Sequence, residues 1–202
     1  MPRRRGNPLA LAVLACLVER PMHPYEMAAT MRTRGQDASI RLNYGSLYGV
    51  VEKLLQRGLI EEQEVMREGR RPERTVYRIT EDGRTEVDEW MSELLGTSAK
   101  EFPQFEAGLS LMGVLRPERV VELLEQRARK LRERLSDLDA TVDAVTRNGV
   151  PRVFLVELDY ERALVEADCA FTEQLTRDIE SERLDGVVFW KSVHESWEKV
   201  GT

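Results

Sequence analysis

An apolar residue recurs at alternating steps of three and four positions from residue 121 to residue 145. The series consists of Val121, Leu124, Ala128, Leu131, Leu135, Leu138, Val142 and Val145. This spacing places all of these side chains on one stripe of an α-helix, and heptads sustained over such a length are typical of a coiled coil. Pro117 suits the first turn of this helix, which would be about 45 Å long at about 30 residues. So long a helix in a chain of 202 residues predicts a mainly α fold.

A second long helix is predicted from about residue 152 to residue 181, after the break Asn148-Gly149-Val150-Pro151. We infer that one chain contains too little other sequence to cover the apolar stripe of the first long helix. A second copy of the chain is therefore expected to cover it, which makes residues 106–202 a helical dimerisation domain and a possible effector domain. The alternative is a monomer in which the two long helices form a hairpin with each other.

The first 95 residues are organised differently. Apolar residues at helical spacing predict three helices, one ending before Arg20, one at about 25–34 and one at about 43–57. Two β-like segments, 59–66 and 74–80, then flank the basic turn 67-REGRRPE-73. This order of helices, strands and turn is that of a winged helix-turn-helix with a small β-wing. A fourth helix from Thr80 to about Leu95 completes the domain 1–95, and residues 96–105 are predicted to be a linker.

The charge of the chain is divided between its two halves. Residues 1–80 contain 14 Lys and Arg against 9 Asp and Glu, a net charge of +5, whereas residues 81–202 carry a net charge of −11. A basic front half favours a polyanionic partner that the acidic back half would avoid. The sequence has no apolar run approaching the roughly 18 residues of a membrane span, so we expect no membrane partner. The chain has only two cysteines, far apart, which suggest a reducing cytosol, and we expect a cytoplasmic, nucleoid-associated protein.

The third helix begins with residues that form helices poorly. In 42-LNYGSLYGVVEKLLQRGLI-60, an apolar stripe that includes Leu47, Val51 and Leu54 must face the core, and this places Gly45 and Gly49 on the opposite side. Each glycine costs up to about 1 kcal/mol relative to alanine in a helix. Two glycines on an exposed helical face have no packing role toward their own domain, and they allow another molecule to approach closely. The N-terminal end of a recognition helix in the major groove of DNA meets this description.

The candidate DNA contacts lie on this helix and in the basic turn. They are Asn43, Tyr44, Ser46, Tyr48, Lys53, Arg70, Arg71 and Arg74. Hydroxyls and amides can bond to bases or phosphates, and the arginines suit phosphates or the minor groove. The alternatives are that Asn43 is a helix N-cap, that the tyrosines mainly pack beside the core stripe, and that the turn is a solvated loop. Of the two tyrosines, Tyr48 is the better contact.

Several stretches of the front half occur together in one known family. They are 23-HPYEMA-28, 43-NYGSLYGVVEKLLQRGLI-60, 69-GRRPERTVYRIT-80 and 82-DGR-84. On these stretches, residues 8–95 closely resemble the PadR family of transcriptional regulators. The resemblance implies a homodimer that binds a palindromic operator, usually as a repressor released by a small molecule. It also implies DNA contacts at Ser46, Tyr48 and the arginines of the wing. The second half resembles the longer-tailed members, in which helices after the linker build the dimer.

An enzyme is not expected from this sequence. The two histidines, His23 and His194, and the two cysteines, Cys16 and Cys169, form no nucleophile–base pair or zinc spacing, and no phosphate-binding loop is present. We therefore expect no catalytic residues, no metal and no cofactor. The alternatives to a repressor are a winged helix that binds proteins, or an activator with no small-molecule effector. If a small apolar or aromatic effector exists, Trp90 is a candidate contact for it.

Overall fold

The structure, a computed structural model, describes residues 7–37, 39–63, 75–98 and 100–200, with side chains as far as residue 197. The chain divides into two compact units, an N-terminal unit Met1–Lys100 and a C-terminal unit Glu101–Thr202. Among the helices in the described ranges, none is both long and apolar enough to cross a membrane. The predicted mainly α fold with a small β-sheet is confirmed.

The N-terminal unit contains helices and strands in the predicted order. They are α1 (Pro8–Glu19), α2 (Pro24–Thr33), α3 (Tyr44–Gln56), β1 (Ile60–Gln63), β2 (Val76–Ile79) and α4 (Glu81–Gly96). Gly35 and Gly58 follow α2 and α3 with φ of 71° and 70°, a left-handed conformation that glycine adopts without strain at the end of a helix. The predicted wing turn, with Arg70, Arg71 and Arg74, lies outside the described residues.

The core of this unit is built from one apolar face of each of the first three helices. Helix α1 contributes Leu9, Val13, Leu14 and Leu17 to this core, and α2 contributes Met27, Ala28 and Met31. Leu47, Val50, Val51 and Leu54 of α3 complete the cluster with Leu59, Ile60 and Ile79 of the sheet region. Because α3 buries this stripe, its opposite side is left on the surface of the unit.

The two strands attach the wing region to this core. Strands β1 and β2 pair antiparallel, with Ile60 opposite Ile79 and Gln63 opposite Val76. On the other edge of β2, the backbone N–H and C=O of Tyr77 bond to those of Met22 at 3.1 Å each. The turn between α1 and α2 is therefore part of the same small sheet, which fixes β2 relative to the helix-turn-helix.

Side-chain caps define where three of these helices begin. The Asn43 Oδ1 accepts a hydrogen bond from the Ser46 backbone N–H at 2.7 Å, so Asn43 is the N-cap of α3. His23 and Glu26 form a reciprocal capping box at the start of α2. The Thr80 hydroxyl accepts from the Gly83 N–H at 3.1 Å and donates to the Gly58 carbonyl at 2.8 Å. The predicted cap at Thr80 is confirmed, and it also ties α4 to the end of α3.

Gly83 sits where α4 passes closest to the rest of the unit. A Cβ at this position would lie 2.1 Å from the Leu59 carbonyl oxygen and 2.7 Å from Ile79 Cγ1. Gly83 is therefore required because no side chain fits between the first turn of α4 and the sheet region. This packing accounts for the glycine in the stretch 82-DGR-84.

The C-terminal unit is entirely helical in its described part. It contains α5 (Gln104–Ser110), α6 (Pro117–Arg147), α7 (Val156–Glu180) and α8 (Val187–Val200), with single 3₁₀ turns at Met112–Val114 and Arg152–Phe154. Helices α6 and α7 run antiparallel, and ion pairs join Arg127 to Asp168 near one end and Asp139 to Arg162 near the other. The predicted long helices are confirmed, and they form a hairpin within one chain.

This hairpin corrects one expectation from the sequence. The apolar stripe of α6 is not left uncovered in a single chain, since Leu124, Ala128 and Leu138 are buried and the other residues of the stripe are half-buried. Helix α7 supplies the covering side chains, with Val165, Cys169, Thr172, Thr176 and Ile179 buried along it. The expectation that only a second chain could cover this stripe is wrong, because the break at 148–151 turns the chain back on itself.

Two aromatic anchors hold α8 in this unit. The Trp190 Nε1–H donates to the Leu115 carbonyl at 2.9 Å, and Trp190 packs on the cluster of Val120, Leu124 and Ile179. His194 is buried, with Nε2 2.9 Å from the Gly113 carbonyl oxygen. Both contacts satisfy carbonyls of the turn between α5 and α6, and the half-buried Trp190 packs against the core of the C-terminal unit.

We predict that Gly83→Ala destabilises the N-terminal unit by more than about 2 kcal/mol, because the added methyl group overlaps backbone that cannot move freely. Urea unfolding followed by circular dichroism measures this loss. Gly49→Ala is the matched control. No described heavy atom lies within 4 Å of a Cβ at Gly49, so this change should stabilise α3 by about 0.5–1 kcal/mol. Equal stability of the two variants would contradict the close approach at Gly83.

We also predict that Asn43→Ala costs about 1 kcal/mol of stability, because the Ser46 N–H loses its acceptor. Asn43→Asp should retain nearly all of the stability, since an aspartate caps equally well. The same unfolding measurement separates the two variants. If Asn43→Ala is as stable as the unaltered chain, the cap contributes nothing.

Candidate nucleic-acid interface

The exposed side of α3 forms a low surface next to the helix N-terminus. Gly45, Ser46 and Lys53 are exposed and Gly49 is half-exposed, whereas Leu47 between them is buried. The nearest described atom to a Cβ at Gly45 would be Asn43 Oδ1, at 3.7 Å. Among the described residues, neither glycine is therefore needed for packing. The backbone of α3 can be approached here more closely than along a helix that carries side chains.

Asn43 and Ser46 are linked at the start of this surface. The cap uses only Oδ1 of Asn43, so its amide nitrogen remains a candidate contact for a base or a phosphate. The backbone N–H of Ser46 is occupied by the cap, while its exposed side chain carries a hydroxyl. The cap that the sequence left as an alternative for Asn43 is therefore present, and it is compatible with a contact to DNA.

Tyr44 and Tyr48 have different surroundings. Tyr48 is 50% exposed and lies close enough to Tyr77 of β2 to affect it electrostatically. The pKa of Tyr77 is raised mainly by its own burial, and then by Glu62 and Tyr48. Tyr48 thus lies near the small sheet, and half of its surface is open to solvent.

Tyr44 is held by two residues of α2 that the sequence did not single out. Its ring stacks on that of Tyr25, with centroids 6.1 Å apart and planes 11° from parallel. The Arg32 Nη1 donates to the Tyr44 hydroxyl at 2.8 Å, and the Arg32 guanidinium carbon lies 4.8 Å from the ring centroid. The hydrogen bond to Tyr44 raises the pKa of Arg32. Tyr25 and Arg32 lie seven residues apart on α2, a helical spacing that was the only signal of this arrangement in the sequence.

The remaining predicted site residues are not brought into a cluster by described contacts. Lys53 is exposed in the last turn of α3. Arg70, Arg71 and Arg74 belong to the segment 64–74, which connects the paired residues Gln63 and Val76. Trp90 is half-buried on α4, and its role toward an effector stays a prediction. Within the described ranges, no group of His, Cys, Asp or Glu side chains could hold a metal ion.

Comparison with solved structures supports this fold. The crystal structure of Bacillus subtilis PadR in complex with p-coumaric acid has a TM-score of 0.69 and 15% identity, and the match covers 85% of this chain and 98% of that one. The same regulator in complex with operator DNA has a TM-score of 0.67 and 16% identity, with 86% and 98% covered. At these identities the likeness concerns the fold.

A virulence activator shares this architecture as well. The structure of AphA from Vibrio cholerae has a TM-score of 0.65 and 16% identity, and the match covers 86% of this chain and 99% of that one. No curated protein matches the sequence. The sequence model of the Transcriptional regulator PadR-like family, however, matches residues 13–89. This segment contains α2, α3, both strands and most of α1 and α4. Residues 13–89 are therefore a winged helix domain of the PadR-like family of transcriptional regulators.

Proposed function

We propose that this protein is a sequence-specific DNA-binding transcriptional regulator. The observation that carries the proposal is the exposed side of α3 within a winged helix domain. Beside its N-capped start, Gly49 leaves open space and a Cβ at Gly45 would meet only the capping Asn43 Oδ1, at 3.7 Å. In such a domain the N-terminal end of the recognition helix enters the major groove. Ser46, Tyr48 and Lys53 are the contacts we assign to α3, together with the amide nitrogen of Asn43.

We assign phosphate or minor-groove contacts to Arg70, Arg71 and Arg74 of the wing. Repression of a palindromic operator, with release by a small apolar or aromatic effector, is the form of regulation that we propose. Its support is that one structure of similar fold holds operator DNA and another holds p-coumaric acid. Activation is the alternative, supported by the similar fold of the virulence activator AphA. In either form the protein acts in the cytoplasm, on the nucleoid.

A homodimer is part of this proposal, and exposed side chains of the C-terminal hairpin support a location for it. Tyr160, Leu164 and Phe171 of α7 are 66%, 53% and 51% exposed. At 100° per residue they lie within about 40° of one another, on the flank of the hairpin where Arg127 pairs with Asp168. The ion pair Arg134–Glu161 lies on the same flank, and the opposite flank carries the ion pairs Arg132–Glu173 and Arg162–Asp139.

This difference between the two flanks favours a second copy as the covering partner. The large apolar side chains gathered on one flank of α7 would gain free energy from burial, whereas the other flank of α7 carries the charged Arg162, Glu166 and Glu173. A two-fold axis brings the same surface of both copies together, and a two-fold dimer is suited to two half-sites about 34 Å apart on DNA. The dimer surface is therefore proposed on the α7 flank and not on the stripe of α6.

Selection from a pool of random double-stranded DNA tests the DNA-binding function. The unaltered protein should enrich duplexes with two inverted half-sites, about one helical turn apart between centres. Failure to enrich any sequence at low salt would overturn the proposal and would favour a winged helix that binds other proteins.

We predict that Gly49→Ala weakens binding to the enriched duplex about tenfold, although it stabilises α3, because its methyl group occupies the space that a base edge needs. Fluorescence anisotropy measures the affinity. Gly96→Ala at the end of α4 is the control, since a Cβ there also meets no described heavy atom within 4 Å. Unchanged affinity in Gly49→Ala would remove this face of α3 from the interface.

For the dimer, we predict that Leu164→Glu halves the mass measured by light scattering, because it places a charge within the proposed apolar surface. Ala170→Glu puts the same charge on an exposed position of α7 toward the opposite flank and should leave the mass at twice that of the chain. A monomer at micromolar concentration of the unaltered protein, or an equal response of both variants, would contradict the proposed surface.

A further inference from the structure

Arg32 differs from several other arginines of the N-terminal unit in the kind of partner it has. Five of them are paired with carboxylates: Arg20 with Glu26, Arg34 with Glu19, Arg57 with Glu86, Arg78 with Glu61 and Arg84 with Glu81. Arg32 donates instead to the neutral hydroxyl of Tyr44 and lies beside the Tyr44 ring. Among the described residues, no carboxylate forms an ion pair with Arg32, and Asp37 acts on it only as a more distant charge.

A phenol orients an arginine without neutralising it. A carboxylate partner would cancel most of the guanidinium charge and would have to be displaced before a phosphate could bind. The Tyr44 hydroxyl uses one N–H donor of Arg32, and no other described residue accepts a hydrogen bond from the remaining donors, which can therefore bind an anion. The aromatic face beside the guanidinium adds a cation–π contact that restricts the long side chain. Arg32 is therefore both oriented and fully charged.

The location of this group suits the DNA backbone. Tyr44 is the first residue of α3, and its stacking partner Tyr25 is the second residue of α2. Arg32 is thus held on the surface of α2, next to the N-terminal end of α3. When a helix-turn-helix docks, the helix before the recognition helix crosses the sugar-phosphate backbone beside the groove.

We propose that Arg32 binds a backbone phosphate of double-stranded DNA beside the groove that α3 enters, and that Tyr44 is its positioning residue, steadied by Tyr25. The inference rests on the DNA-binding function proposed above and adds a contact to it. The interaction is independent of base sequence, because it involves only a phosphate. Tyr44 consequently acts through Arg32 and does not itself contact a base.

The salt dependence of binding to the selected duplex tests this inference. Each phosphate contact contributes about 0.9 to the slope of log affinity against log salt concentration. Arg32→Gln should lower the slope by about that amount for every duplex examined. Arg34→Gln is the matched control. It removes the same charge two residues further along α2 and its cap, but Arg34 is already paired with Glu19, so this change should leave the slope unchanged.

Two further variants separate positioning from charge. Tyr44→Phe keeps the ring but removes the hydroxyl, so the slope should be retained while affinity falls about threefold. Arg32→Lys should restore the slope lost in Arg32→Gln, since a lysine also binds phosphate as a point charge. Circular dichroism melting of each variant reports whether the fold is intact. If Arg32 had a purely structural role, Arg32→Gln would lower the melting temperature and leave the salt slope unchanged.

The outcomes distinguish this inference from the function on which it rests. Binding by the unaltered protein with an unchanged slope in Arg32→Gln overturns the phosphate contact alone. An equal fall in Arg32→Gln and Arg34→Gln also overturns it, because the effect would then follow net charge. If the unaltered protein selects no duplex, both the DNA-binding function and the Arg32 contact are overturned.

Discussion

The burial of one stripe of α3 is the interaction on which the surface of the N-terminal unit depends. Leu47, Val50, Val51 and Leu54 enter the same cluster as the apolar faces of α1 and α2, and each such side chain contributes about 2 kcal/mol when it leaves water. Rotating α3 would expose this stripe, so the helix has one orientation. The side that carries the glycines must then face outward, and the features proposed for DNA binding follow from this packing.

The charged residues divide into those that are neutralised and those that remain available. In the N-terminal unit, carboxylates pair with several arginines, while Tyr44 holds Arg32 without cancelling its charge. In the C-terminal unit, ion pairs cross the hairpin on both flanks, but the exposed apolar side chains of α7 lie toward one of them. Exposed ion pairs contribute little to stability. Their placement still distinguishes surfaces that suit water from surfaces that suit a partner.

Most of the fold could be predicted because its signals are local. The cap at Thr80, the left-handed glycines after α2 and α3, and the two long helices each depend on residues within a few positions of one another. The stripe of α6 shows the limit of such signals. A heptad pattern indicates that a helix packs against another helix. The pattern does not differ between a partner helix from the same chain and one from a second chain.

The candidate site divides in the same way. The sequence by itself determined the elements, the apolar stripe of α3 and the glycines opposite it, because helical periodicity is a property of neighbouring residues. It also suggested two uses for Asn43, and the structure shows the cap. Only the tertiary structure brought Tyr25, Arg32 and Tyr44 together and left no room for a side chain at Gly83. These contacts join residues far apart in the chain, and their geometry is set by how the helices pack.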